Sequence, residues 1–170
     1  MHMKNILPIL TLTTLAAAAS AQVAAPAAAG LNYNRVGLGY NTDTKGYSLS
    51  ATAVLGSSNF WVGASTTIGG GNTLGNGSDS VAIGYLFANA IAGADATVSV
   101  GSDEAYTIGL RKALGNNFEG AASVGRNSAD KTVLTAELGY NVSKQIQLAV
   151  GYTDTEGSAG TTDLTVRYNF

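Results

Sequence analysis

Six charged residues lie inside segments that otherwise alternate between apolar and small residues: Arg35, Asp95, Arg111, Glu119, Glu137 and Arg167. All six fall on the polar parity of their segments. Arg and carboxylate side chains gathered on one face can form bidentate ion pairs. They can also form a ring of fixed charge that discriminates between passing solutes. Both readings stay open from the sequence. An isolated buried ion is very costly, so each of the six must pair or meet water. Arg35 and Arg167 lie on the first and last such segments, and Glu137 is the expected acidic partner for both. Trp61 shares this parity; it is either a possible constriction or an aromatic displaced from the opposite face.

Other chemistry finds little to work with. The only histidine, His2, lies in an N-terminal segment predicted to be removed, which counts against a proton relay. The chain has no Cys, so neither disulfides nor thiolate metal sites are expected. Gly69-Gly70-Gly71 follows no strand-to-helix pattern and predicts a flexible loop, not a phosphate cradle. No catalytic residue, metal site or cofactor is expected. The formal charge of −2, without a basic cluster, argues against nucleic acid.

The elements that position these side chains are strands. Successive side chains on a strand point to opposite faces, and from Leu31 onward the sequence alternates, turns and alternates again. In the last segment Leu164, Val166, Tyr168 and Phe170 oppose Asp163, Thr165, Arg167 and Asn169. Ten segments of this kind follow one another, each of about ten residues, the length a tilted strand needs to cross a bilayer. The links after the second, fourth, sixth and eighth are tight, with one expected at Asn89-Ala90. The others are mostly longer and polar, above all 69–78. The 22 Gly against 2 Pro and the charged content of 12% fit strands and turns. No helical period survives after residue 30.

Alternation alone does not say whether the apolar face points inward, as in a secreted soluble barrel, or outward to lipid. Three features favour outward. The polar face is built of Gly, Ser, Thr and Ala, a poor filling for a soluble core. The aromatics gather in two girdles, Phe60, Phe87, Phe118, Tyr140, Tyr168 and Phe170 near the tight turns and Tyr40, Tyr47, Tyr106 and Tyr152 near the loops. Charge avoids the middle of the apolar face, with Lys112 and Arg126 near strand ends where long side chains reach water.

The paired-hairpin layout and the Tyr168-Asn169-Phe170 ending resemble the small bacterial outer-membrane β-barrels, a porin-like family, with no subfamily identified. The expected fold is all-β, an antiparallel up-and-down transmembrane barrel of about ten strands, eight being possible. Residues 1–21 read as a signal peptide, with Lys4, an apolar run at Ile6–Leu15 and the small-x-small site Ala19-Ser20-Ala21. Residues 22–30 read as a short periplasmic lead-in and 31–170 as the barrel. With Lys4 removed, eight basic residues face eleven acidic ones, a net of −3. The resemblance implies integral outer-membrane localisation and contact with outer-membrane lipid and lipopolysaccharide or its equivalent. It also implies recognition by the barrel-assembly machinery through Tyr168 and Phe170. Ten strands with small inner residues imply a narrow passive channel for ions or small solutes. Acidic loop residues (Asp43, Asp79, Asp103, Glu104, Asp130, Asp154, Glu156, Asp163) would give it a mild cation preference. The alternative is a non-conducting structural or adhesive barrel acting through its outer loops.

Overall fold

The computed structural model describes residues 31–68 and 79–170, so the segments expected as signal peptide and lead-in, and the longest loop, lie outside the described residues. Ten strands follow in order: β1 (Arg35–Asn41), β2 (Tyr47–Val54), β3 (Phe60–Ile68), β4 (Asp79–Ile91), β5 (Ala94–Gly101), β6 (Tyr106–Gly115), β7 (Phe118–Arg126), β8 (Thr132–Asn141), β9 (Ile146–Thr155) and β10 (Thr161–Asn169). Each pairs antiparallel with its sequence neighbours, and β1 pairs with β10. The sheet is therefore a closed up-and-down barrel of ten strands. At the seam Val36 stands opposite Tyr168 and Leu38 opposite Val166, so the apolar parity continues without a break.

The greasy face points out. Every strand carries an exposed large apolar side chain, including Leu38, Ile108, Leu134 and Val166. Withdrawing one such side chain from water is worth about 1.5–3 kcal/mol, so a belt spread over ten strands amounts to tens of kcal/mol. That belt suits acyl chains and removes the soluble-barrel alternative. Cross-strand aromatic pairs edge it. Tyr40 stacks on Tyr47 at 5.1 Å near the loops. Near the tight turns Phe60 meets Tyr85 at 5.0 Å and Phe118 meets Tyr140 at 5.0 Å.

Two turns contain only two residues. Asn116-Asn117 has positive φ at both positions, the conformation that matches strand twist in a tight hairpin. The β4–β5 turn is at Ala92-Gly93, not at Asn89-Ala90 as the sequence suggested. Asn89 does adopt positive φ, at 53°, but within β4. There the pairing with β5 slips between Phe87 and Ile91, and the Asn89 amide donates to Asp95 Oδ1 at 2.9 Å. The carboxylate satisfies the amide that the bulge leaves out of the ladder, so the strand runs on to a glycine that turns more readily.

Depth on the belt sets the tolerance for charge. Val150 is mid-strand in β9 and exposed, whereas Tyr168 is near the end of β10. In lipid vesicles, Val150→Arg should lower the unfolding free energy in urea by about 2–4 kcal/mol and Tyr168→Arg by no more than about 1 kcal/mol. Equal losses at the two positions would contradict this placement of the hydrocarbon.

Candidate functional site

The inward parity of β5 to β10 carries its charge at the tight-turn end. Asp95, Arg111 and Glu119 are buried, as are Gln147 and Asn169. Strand pairing dictates this assembly. Asp95 is opposite Arg111 across β5–β6, Arg111 opposite Ala121 across β6–β7, and Gln147 opposite Arg167 across β9–β10. The long side chains then reach across the lumen between inward positions that are mostly Gly, Ala, Ser and Thr.

Arg111 is the hub. Its Nε and Nη2 hold Glu119 in a bidentate pair, with Nη2 to Oε2 at 2.9 Å. Its Nη1 donates to the Asn32 carbonyl at 2.7 Å, and its guanidinium lies 4.6 Å from the centre of the Tyr33 ring. Gln147 extends the network in both directions. Its Nε2 donates to Glu119 Oε2 at 3.1 Å and to Asn141 Oδ1 at 3.0 Å. Its Oε1 accepts from Arg167 Nη1 at 3.0 Å. Arg167 forms the second bidentate pair, with Glu137.

Residues 31–34, just before β1, turn into this mouth. The Tyr33 hydroxyl donates to Asp95 Oδ2 at 3.0 Å, and Thr52 donates to the Tyr33 carbonyl at 2.8 Å. Asn34 Oδ1 accepts the Val54 amide at 2.8 Å. Burial holds the Tyr33 phenol protonated well above its ordinary pKa, with the Asp95 charge and hydrogen bond adding to the effect against the pull of Arg111. It is therefore a permanent donor to Asp95.

This network forms a septum. On its loop side is a cavity of about 320 Å³ lined by Arg35, Trp61, Thr97, Ser123, Thr135 and Glu137 among others. On its tight-turn side is a cavity of about 360 Å³ lined by Asn117, Asn141, Ser143 and Lys144, and Arg111 borders both. Trp61 lines the loop-side cavity. Its ring lies against Gly84, where an added Cβ would fall 2.4 Å from a ring carbon.

The six charged residues thus converge, with one difference in pairing from the expectation. Glu137 pairs with Arg167 but makes no hydrogen bond to Arg35. The strand register explains this: Arg35 stands opposite Asn169, two positions from Arg167, and its nearest carboxylate is Glu119 at 3.8 Å. Tyr33 and Gln147 were missed, because a residue outside the strands and a neutral amide carry no charge signal. The alternation of β9 did place Gln147 on the inward face. Several loop acids are engaged within the rim. Asp43 accepts the Thr162 amide at 2.7 Å, Asp163 accepts from Asn41 at 3.0 Å, Glu156 accepts the Thr132 amide at 3.1 Å, and Asp130 pairs with Arg126.

A scan against family models and a search of curated proteins found no match. Among solved structures the chain is similar to the KdgM porin, at 11% identity and a TM-score of 0.51, covering 81% of this chain and 98% of that one. The NanC porin is matched at 9% identity and a TM-score of 0.43, over 81% of this chain and 98% of that one. The outer-membrane protein Omp33 of Acinetobacter baumannii is matched at 13% identity and a TM-score of 0.33, over 83% and 100% of the two chains. At 11% identity the likeness to the KdgM porin is one of fold.

Glu119 is the carboxylate that Arg111 depends on. Glu119→Ala leaves a buried guanidinium without its counter-charge and should destabilise the barrel by about 3–5 kcal/mol in urea unfolding. Replacing both partners, Arg111→Met with Glu119→Met, should recover most of that loss. A double variant no more stable than Glu119→Ala would contradict the pairing.

Proposed function

We propose that this chain is a bacterial outer-membrane barrel acting as a narrow passive channel for ions or small solutes. The observation that carries the reading is a lumen lined mostly by Gly, Ser, Thr and Ala under an outward apolar belt, holding cavities on both sides of a charged septum. Small inner residues leave space that larger ones would fill, and the charged groups keep that space wet. Selection takes place at the septum, where a solute must displace or thread the Arg111–Glu119–Tyr33 contacts. The outward belt meets lipid, and Tyr168, exposed on β10, supports recognition by the assembly machinery. No step of this function calls for a catalytic group.

A non-conducting structural barrel is the second reading, and the septum itself favours it. Asp95 is fully buried and Gln147 is 1% exposed, so these two side chains leave no space around themselves for a solute. Planar-bilayer recording separates the two. Purified protein should give a small, resolvable unitary conductance under the channel reading and none above background under the structural one. Tyr33→Ala removes the ring beneath Arg111 and the donor to Asp95, and should raise that conductance several-fold. Unchanged conductance in Tyr33→Ala would place the limiting constriction elsewhere.

A further inference from the structure

We infer that the outer face of β6 to β9 holds a glycerophospholipid of the leaflet at the tight-turn end, with one acyl chain in a groove and the phosphate on Lys112. The inference rests on the barrel lying in a bilayer and not on conduction.

The groove is a matter of side-chain size. Most outward positions of the belt carry large apolar residues, but neighbouring ones on β7 and β8 are Gly120, Ala122 and Ala136. Strand register gathers them. Ala122 is opposite Ala136, and Gly120, one outward step nearer the tight turns, is opposite Leu138. Around this floor stand Leu110 and Leu114 on β6, Leu138 on β8, and Val150 and Tyr152 on β9, all exposed. The depression they enclose has a volume of about 660 Å³. Leu114 leans over its tight-turn end, where a Cβ added at Gly120 would lie 3.2 Å from Leu114 Cδ1. A chain lying between such walls makes more dispersion contacts than one on a flat face.

Charge says what the chain is attached to. Lys112 is opposite Gly120 and lines the same groove. It is on the lipid-facing parity, where a cation is tolerated only towards the edge of the hydrocarbon. Its ammonium reaches the β4–β5 turn and donates to the Ala92 carbonyl at 2.7 Å. Two of its three hydrogens remain for another acceptor. The other cation on an outward face, Arg126, is paired with Asp130, whereas among the described residues Lys112 forms no ion pair. A phosphate at this height with a chain running towards the midplane fits one molecule. Tight turns of such barrels face the periplasm, so the groove opens to that leaflet, whereas lipopolysaccharide meets the loop end. A second copy of the chain fits less well. Packed about an axis along the membrane normal, two copies would set their Lys112 ammonium groups at one depth, with no acid between them.

Native mass spectrometry of the delipidated barrel in detergent tests this with two probes that share acyl chains. Dioleoyl phosphatidylglycerol should be retained at one per barrel under activation that strips further copies. Dioleoylglycerol, which has no phosphate, should not be retained. Lys112→Gln should cut the retained fraction several-fold, and Lys112→Arg should keep most of it. Ala122→Leu with Ala136→Leu fills the groove while leaving the charge, and should lower retention as well. Equal retention of the two probes would overturn the inference, as would undiminished retention in Lys112→Gln or in the filled groove. A dimer that predominates without lipid and is lost in the filled groove would give this face to a second copy and overturn it too. A barrel that fails to conduct leaves the lipid site standing, and loss of the lipid site leaves the channel reading intact.

Discussion

A strand crossing hydrocarbon has no water with which to satisfy an amide, so every backbone donor must find a carbonyl on a neighbouring strand. The pairing of β1 with β10 makes that possible here. Without it, two rows of unpaired groups would face lipid, each group costing several kcal/mol. Closure therefore precedes every other feature in the logic of the fold. It fixes the parity of all ten strands at once, because a slip of one residue at the seam would turn the apolar belt inward on one side.

Once closed, the barrel has an interior whose contents depend on side-chain size. Gly37, Gly63, Gly84, Gly109 and Gly151 alternate with Ser and Thr on the inward parity, and such residues do not fill a lumen. The charged residues at one end compensate. Arg111, Glu119, Arg167, Glu137 and Gln147 are long enough to meet across the space, and their mutual hydrogen bonds make their burial tolerable. A barrel with large apolar residues at these positions would be a plug along its whole length. Here the obstruction is a thin layer with space on both sides.

The strand architecture was legible because a period of two survives in short segments and is hard to imitate. Leu164, Val166 and Tyr168 against Thr165 and Arg167 admit only one kind of element. What alternation cannot carry is register detail and the behaviour of residues outside strands. The bulge in β4 moved a turn from Asn89 to Gly93 because a carboxylate on β5 could hold a stray amide, a contact invisible until the two strands are aligned. Glu137 was correctly associated with Arg167, which lies two strands away across β9. Arg35 feels the Glu137 charge but makes no hydrogen bond to it, because adjacency of β1 and β10 does not mean contact of two given side chains. Tyr33 left no signal at all: one aromatic before the first strand reads the same whether it enters the mouth or lies beside it.

Seam and septum are joined by the same few residues. The Phe170 amide donates to the Asn34 carbonyl at 3.1 Å, and Asn32 Nδ2 reaches the Phe170 carbonyl at 3.4 Å. At the next residue β1 begins its pairing with β10, Arg35 opposite Asn169. The segment that carries Tyr33 beneath Arg111 is thus anchored at the point where the barrel closes. Its inward course is therefore set by closure and not by the septum alone. A chain that had not yet paired β1 with β10 would have no fixed place for Tyr33. Arg111 would then lack the Asn32 carbonyl and the Tyr33 ring, and Asp95 would lack its phenol donor. Arg111–Glu119 and Arg167–Glu137 can form within contiguous strands β6 to β10, before the seam exists. The septum thus has two parts, ion pairs between strands β6 to β10 and an aromatic part whose place depends on the first strand meeting the last.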